Sequence, residues 1–231
     1  MRPFVMEIDQ STLLEKIGRD WDARARENAH HYVVNSQWGW SDEDFFEGGR
    51  RTVANEILTD TQNIFQGRRP EEMRILEIGC GSGRVTRALG ELFREVHTVD
   101  VSEEMILLAR EACRHQSNVF IHKNDGMDLS ILADLSGTFD FAFSSCCFQH
   151  IPSHRIIENY VRQVSELLRP KALFKFEVQG YVELERDADD TWCGVSLSDA
   201  DAVSLAERCG FEPGYRVGAG QECFWLWFFK K

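Results

Sequence analysis

The chain has 231 residues, a formal net charge of −12 and a sequence pI near 5.1, a size suited to one α/β domain with an appended helical segment. The acidic balance offers no Lys/Arg cluster beyond Arg50-Arg51, Arg68-Arg69 and Lys230-Lys231, so a nucleic-acid partner is not expected. No apolar run approaches the roughly 20 residues of a bilayer span, and Met1 to Glu7 lack the core of a secretory signal, which gives the expectation of a cytoplasmic chain without membrane contact.

Residues 1–66 read as a helical segment. Leu13, Leu14, Ile17, Trp21 and Ala25 recur at helical spacing, and Val53, Ile57, Leu58 and Ile64 do so again. Between them lies an aromatic and acidic patch from Trp38 to Phe46, punctuated by Gly48-Gly49. Gln66 to Pro70 reads as the linker into a second unit, residues 67–231. His30 and His31 stand next to each other, with no carboxylate at ligand spacing, so no metal is expected there.

From residue 73 strands and helices alternate, which implies parallel strands with crossover helices. The spacing predicts strands at 74–78, 95–99, 118–122, 139–144 and 172–178, and helices near 84–94, 103–115, 153–168 and 199–209. Arg169-Pro170 is expected to stop the third of these helices. Two closing strands, about 212–218 and 222–229, are joined by Gly218-Ala219-Gly220, too short a link for anything but an antiparallel hairpin.

The first strand runs straight into Gly79-Cys80-Gly81-Ser82-Gly83, and an amphipathic helix follows. Such a unit brings backbone amides and a helix amino terminus close to a ligand. Glu77 stands inside the strand end, and Asp100 ends the next strand. A dinucleotide-binding turn, G-x-G-x-x-G/A, would place Gly or Ala at position 84, which is Arg84. A carboxylate at 77 would also repel a diphosphate, whereas it suits a cationic amino-acid end.

Glu77, Gly79, Gly81 and Gly83 resemble the first motif of the class I S-adenosylmethionine-dependent methyltransferases, acidic-x-Gly-x-Gly-x-Gly. The resemblance implies an α/β, Rossmann-like fold: a seven-stranded, mostly parallel sheet with an antiparallel last strand, helices on both faces and an amino-terminal helical lid. It implies S-adenosylmethionine as cofactor. Glu77 would address the methionine amino group and Asp100 the ribose hydroxyls, flanked by Cys80 and Val101. Met105 is either an adenine neighbour or core. Asp125-Gly126 is either an adenine contact or a plain tight turn. Ser144 would run beneath the methionine portion, and Tyr32 or Arg26 would reach the cofactor carboxylate.

On the acceptor side, His150 follows the fourth strand, where the crevice of an open α/β sheet lies. It is a candidate general base, or a residue that only leads into the next helix. Glu177 is a candidate partner orienting it; a pH–rate profile unchanged in His150→Ala would remove the pair. Adjacent Cys146-Cys147, among seven cysteines with no C-x-x-C, read as small reduced residues at a strand end. The resulting expectation is methyl transfer to the oxygen or nitrogen of a small molecule. The alternative is a cofactor-binding module without turnover. Oligomeric state and the acceptor's identity are not legible at this level.

Overall fold

The structure is a computed structural model and describes residues 9–34, 38–181 and 187–231; the Met1–Glu7 stretch lies outside them. Helix α1 (Gln10–Val34) is broken at Asn28, whose backbone is extended (φ −168°, ψ 86°). The Asn28 side chain accepts from His31 N–H and so starts the second piece as its N-cap. Helix α2 (Asp42–Val53) begins at the Ser41 cap, passes into one π turn (Ala54–Leu58) and is followed by α3 (Thr61–Phe65). The π turn adds a residue per turn, so it rotates Leu58 off the apolar stripe. Ile57 is fully buried and Leu58 is 48% exposed, against the helical spacing that grouped them.

The sheet is built from β1 (Arg74–Ile78), β2 (Glu95–Asp100), β3 (Val119–Lys123), β4 (Phe139–Ser144), β5 (Leu168–Gln179), β6 (Phe211–Val217) and β7 (Cys223–Lys230). Its order is β3-β2-β1-β4-β5-β7-β6. The first five strands pair in parallel, and β7 is antiparallel to both β5 and β6. Helices α4 (Arg84–Leu92), α5 (Glu103–Ala112), α6 (His154–Leu167) and α7 (Asp199–Arg208) complete the unit. This is the fold expected from the motif resemblance.

Strand β5 starts at Leu168, four residues before the expected point. Pro170 lies at its beginning, beside a register shift between Phe139 and Phe141, and Lys171 has φ +66°. An irregular strand start of this kind tolerates proline, which a central ladder position would not.

Alternation along the strands splits the core in two. Leu76, Ile78, Phe174 and Phe176 face α6 and α7, with Ile156, Val161 and Leu205. Ile75, Phe141 and Leu173 face the other way, with Val85, Leu89, Val53, Ile57 and Ile64. The segment before residue 67 therefore shares a core with the sheet.

Candidate active site

A cleft opens at the carboxyl ends of β1, β2 and β4, where parallel α/β sheets gather their loops, and α1 lies across it. Its floor is the turn after β1. Gly79 (φ +81°) and Gly81 (φ +50°) take backbone conformations that L side chains rarely adopt. A Cβ on Gly79 would come within 2.4 Å of Cys147 Sγ, and one on Gly81 within 2.8 Å of Val33 Cγ2. Both glycines line the cleft, and Cys80 lies between them. Gly83 (φ +87°) does not; it begins α4, and a Cβ there would meet Ala109 of α5 at 3.1 Å. The third motif glycine thus serves helix–helix contact.

Glu77 and Asp100 reach the cleft from neighbouring strand ends. Glu77 is 3% exposed, and its Oε2 accepts from Thr86 Oγ1 at 2.6 Å. Burial raises its pKa to about 7, the Thr86 bond opposing. Asp100 Oδ2 accepts from Gly81 N–H and Oδ1 from Ser102 N–H, both at 2.9 Å. Burial pushes its pKa up, and these amides hold it down. Each oxygen still has a second lone pair for an incoming donor. Ser102 caps α5 through Met105 N–H, which relieves Asp100 of that role.

Val101, Met105, Asn124 and Gly126 form the side of the cleft toward β3. Asp125 does not line it: its Oδ1 accepts from Met127 and Asp128 N–H at 2.8 and 3.1 Å, closing its own turn. Asn124 stands in its place. It is 8% exposed, its Nδ2 donates to Tyr160 OH and to Asp128 O, and its Oδ1 is buried without a hydrogen-bond partner. Sequence reasoning missed Asn124 because the Asp-Gly pair beside it has the composition of both a turn and a ligand contact.

Ser144 is also off the cleft. It is fully buried and donates to Ile78 O at 2.8 Å, tying β4 to β1. Ser145, Cys146 and Cys147 line the cleft instead. Cys146 takes a left-handed backbone (φ +54°), and its N–H donates to Glu177 Oε1, as does Ser145 Oγ at 3.2 Å. Burial raises the Cys146 thiol to about 12, so it stays protonated.

His150 lines the cleft, 8% exposed. Its Nδ1 lies against the Trp192 carbonyl, which fixes the tautomer with the proton on Nδ1. Burial lowers its pKa to about 4, the Trp192 bond opposing. The Glu177 pairing expected from the sequence does not form. Glu177 shares the sheet face of Leu173 and Lys175, whereas the turn before His150 packs through Phe148 onto Phe174 and Phe176 of the opposite face. Strand alternation separates the two side chains.

Aromatic rings close the mouth. Trp21 meets His150 at a centroid distance of 5.0 Å and Trp192 at 6.1 Å, and Tyr32 meets Trp192 at 5.6 Å. The Arg24 guanidinium lies 4.8 Å from the Trp21 ring and 5.3 Å from that of Trp192. Tyr32 lines the cleft with its hydroxyl donating to Glu27 at 2.8 Å. Arg26 pairs with Glu104 at 3.0 Å and does not line it. His30 stacks on Phe45 and His31 on Trp38. Among the described residues no group of three or more His, Cys, Asp or Glu side chains is arranged to hold a metal, and no helix is long and apolar enough to cross a membrane.

Residues 75–171 match a family model described as a methyltransferase domain. The chain is 33% identical over 125 residues to a malonyl-[acyl-carrier protein] O-methyltransferase of Bacillus cereus, covering 53% of this chain and 44% of that protein. Across the first four curated relatives it spans 37–61% of their length. A magnesium protoporphyrin IX methyltransferase from Synechocystis superposes with a TM-score of 0.65 at 14% identity, over 95% of this chain and 100% of that one. Phosphoethanolamine N-methyltransferase 1 of Haemonchus contortus gives 0.66 at 13% identity, over 96% of this chain and 50% of that one. The family match runs through the glycine turn and the strand ends that frame the cleft, so the similarity to methyltransferase domains lies in the part of the chain that builds the candidate site.

Proposed function

We propose that the chain binds S-adenosylmethionine in this cleft and transfers its methyl group to the oxygen or nitrogen of a small-molecule acceptor. The observation that carries the reading is the convergence of Glu77, Asp100 and the Gly79–Gly81 backbone on one cleft. The donor set fits the cofactor's separate parts. Asp100 keeps acceptor capacity for a ribose diol, and Glu77 supplies a carboxylate for an ammonium. The unpartnered Asn124 Oδ1 suits an adenine amino group, a role expected of Asp125 from sequence.

The bound cofactor supplies an activated methyl group on a sulfonium. The chain then has to align an acceptor, exclude water and take up a proton where needed. His150 presents an unprotonated Nε2 at neutral pH, held in orientation by the Trp192 carbonyl. It can accept a hydrogen bond from an acceptor hydroxyl or amine. Both O- and N-methyltransferases occur among the named relatives, and both chemistries suit such a group. Glu177 acts at a distance, holding the Ser145–Cys146 turn. The low basicity of His150 favours one second reading, a cofactor-binding module without turnover.

Calorimetric titration with S-adenosylhomocysteine, with NAD as control, tests the first step. Asp100→Asn is expected to weaken S-adenosylhomocysteine binding at least about tenfold, the scale of one buried charged hydrogen bond. Binding of NAD in its place would overturn the proposal. Release of S-adenosylhomocysteine with any acceptor would exclude the module without turnover.

A further inference from the structure

Arg84, the first residue of α4, also lines the cleft. It is 8% exposed. Its one hydrogen bond among the described residues runs from Nη1 to Thr52 Oγ1 at 3.1 Å, and Nε is buried without a partner. No Asp or Glu among the described residues approaches it within the 4.0 Å of an ion pair. Glu77 and Glu177 act on it only through space. One oxygen of each is engaged elsewhere, Glu77 Oε2 with Thr86 and Glu177 Oε1 with Ser145 and Cys146, and burial drives both toward the neutral acid. A buried guanidinium so weakly compensated is costly to the fold.

Helix α2 packs closely on the backbone of Arg84. Helix α2 carries Gly48-Gly49 in its interior, where glycine weakens a helix. A Cβ on Gly49 would lie 1.9 Å from Arg84 O, and one on Gly48 would lie 3.6 Å from Arg84 Nη1. Gly49 lets α2 pass directly over Arg84. Arg84 lines the cleft together with Cys146 and Glu77, and the charges of these two and of Glu177 act on its guanidinium.

We propose that Arg84 is the anion-recognising residue of the acceptor pocket, and that the acceptor carries a carboxylate. This rests on reading the cleft as a cofactor-plus-acceptor site. Thr52 takes Nη1, which leaves Nε and Nη2, the edge of the fork that matches the two oxygens of a carboxylate.

The test uses the full chain loaded with S-adenosylhomocysteine, in wild type, Arg84→Gln and Arg84→Lys, with melting temperature as the folding control. The probes are malonate and benzoate, their uncharged amides, and inorganic phosphate, titrated by calorimetry or ligand-observed NMR. The expected result is carboxylate binding to wild type, weakened tenfold or more in Arg84→Gln, partly kept in Arg84→Lys and absent for the amides. S-adenosylhomocysteine affinity should stay within about threefold in both variants. Carboxylates binding equally to Arg84→Gln and wild type, or not binding wild type, would overturn the proposal, as would stronger binding of phosphate. So would a tenfold loss of S-adenosylhomocysteine affinity with methylthioadenosine affinity unchanged, since Arg84 would then serve the cofactor's own carboxylate. If S-adenosylhomocysteine fails to bind wild type, the cofactor reading falls by itself. The carboxylate series on the unliganded chain then decides for or against Arg84.

Discussion

At the scale of single residues, Glu77 couples the cleft to pH. In the unfolded chain it titrates as an ordinary glutamate, near 4.5; in the fold, burial moves it to about 7. Between those values the native state binds the extra proton, so stability from this group falls as pH rises through the window. The effect is on the order of 3 kcal/mol. His150 has the opposite sign, since its lowered pKa of about 4 makes the native state lose stability as pH falls below 6.5. Urea denaturation at pH 5 and pH 8 separates the two. Glu77→Gln should gain stability relative to wild type on going to pH 8, and His150→Gln should flatten the acid side. If Glu77 meets the cofactor ammonium, the Kd for S-adenosylhomocysteine should rise about tenfold per pH unit below 7, and Glu77→Gln should abolish that slope. Glu77 and Asp100 were legible because the motif fixes both the residue type and the strand end. Asn124, Arg84 and the true partner of Glu177 were not. Their roles depend on side-chain direction: Asp125 turns back on its own loop, and Glu177 follows the parity of β5.

At the scale of elements, the strands and most helices follow from hydrophobic period and punctuation. Ser102, Ser153 and Ser198 cap α5, α6 and α7 where the sequence suggests a start. The departures arise where packing overrides local pattern, at the π turn that exposes Leu58 and at the irregular start of β5. Adjacent glycines in α2 make the distinction measurable. Gly48 has room for a methyl group, with its nearest neighbour at 3.6 Å and a helical backbone. Gly48→Ala should therefore stabilise the chain by about 0.5–1 kcal/mol. Gly49→Ala drives a Cβ into the Arg84 carbonyl at 1.9 Å, and backbone cannot step aside as a side chain can. It should cost about 2 kcal/mol or more. Thermal melts of the two single variants check the pair; equal shifts would mean that α2 is not pinned on α4.

At the scale of the whole molecule, α1 spans the cleft from end to end. Leu14 lies near Gly126, Gly18 over Val101 O, Ala25 against Met105 and Val33 against Gly81. It is fastened on both banks. On one, Asp22 Oδ1 accepts from Ser102 Oγ at 2.6 Å and from Glu104 N–H at 3.2 Å. On the other, buried Thr191 donates to Asp20 at 2.8 Å and receives Arg24, while Lys16 donates to the Asp189 carbonyl. We propose that a ligand the size of a nucleoside passes under this helix and that α1 lifts to admit it; the extended backbone at Asn28 divides the helix into two pieces that need not lift together. The bonds that hold α1 are then absent from the open form and present in the closed one. Removing them should speed ligand escape more than it slows entry. Asp22→Ala deletes two hydrogen bonds to a charged acceptor, each contributing about 1.5–3 kcal/mol at most. It is expected to raise the off-rate of S-adenosylhomocysteine at least about tenfold, with the on-rate within about threefold. Stopped-flow quenching of Trp21 and Trp192, which face each other beside His150, reads both rates. Hydrogen exchange gives an independent check: bound S-adenosylhomocysteine should slow the amides of Gln10–Val34 in wild type and much less in Asp22→Ala. Equal protection in both proteins would make α1 a fixed wall of the cleft, and the ligand would have to enter by another path.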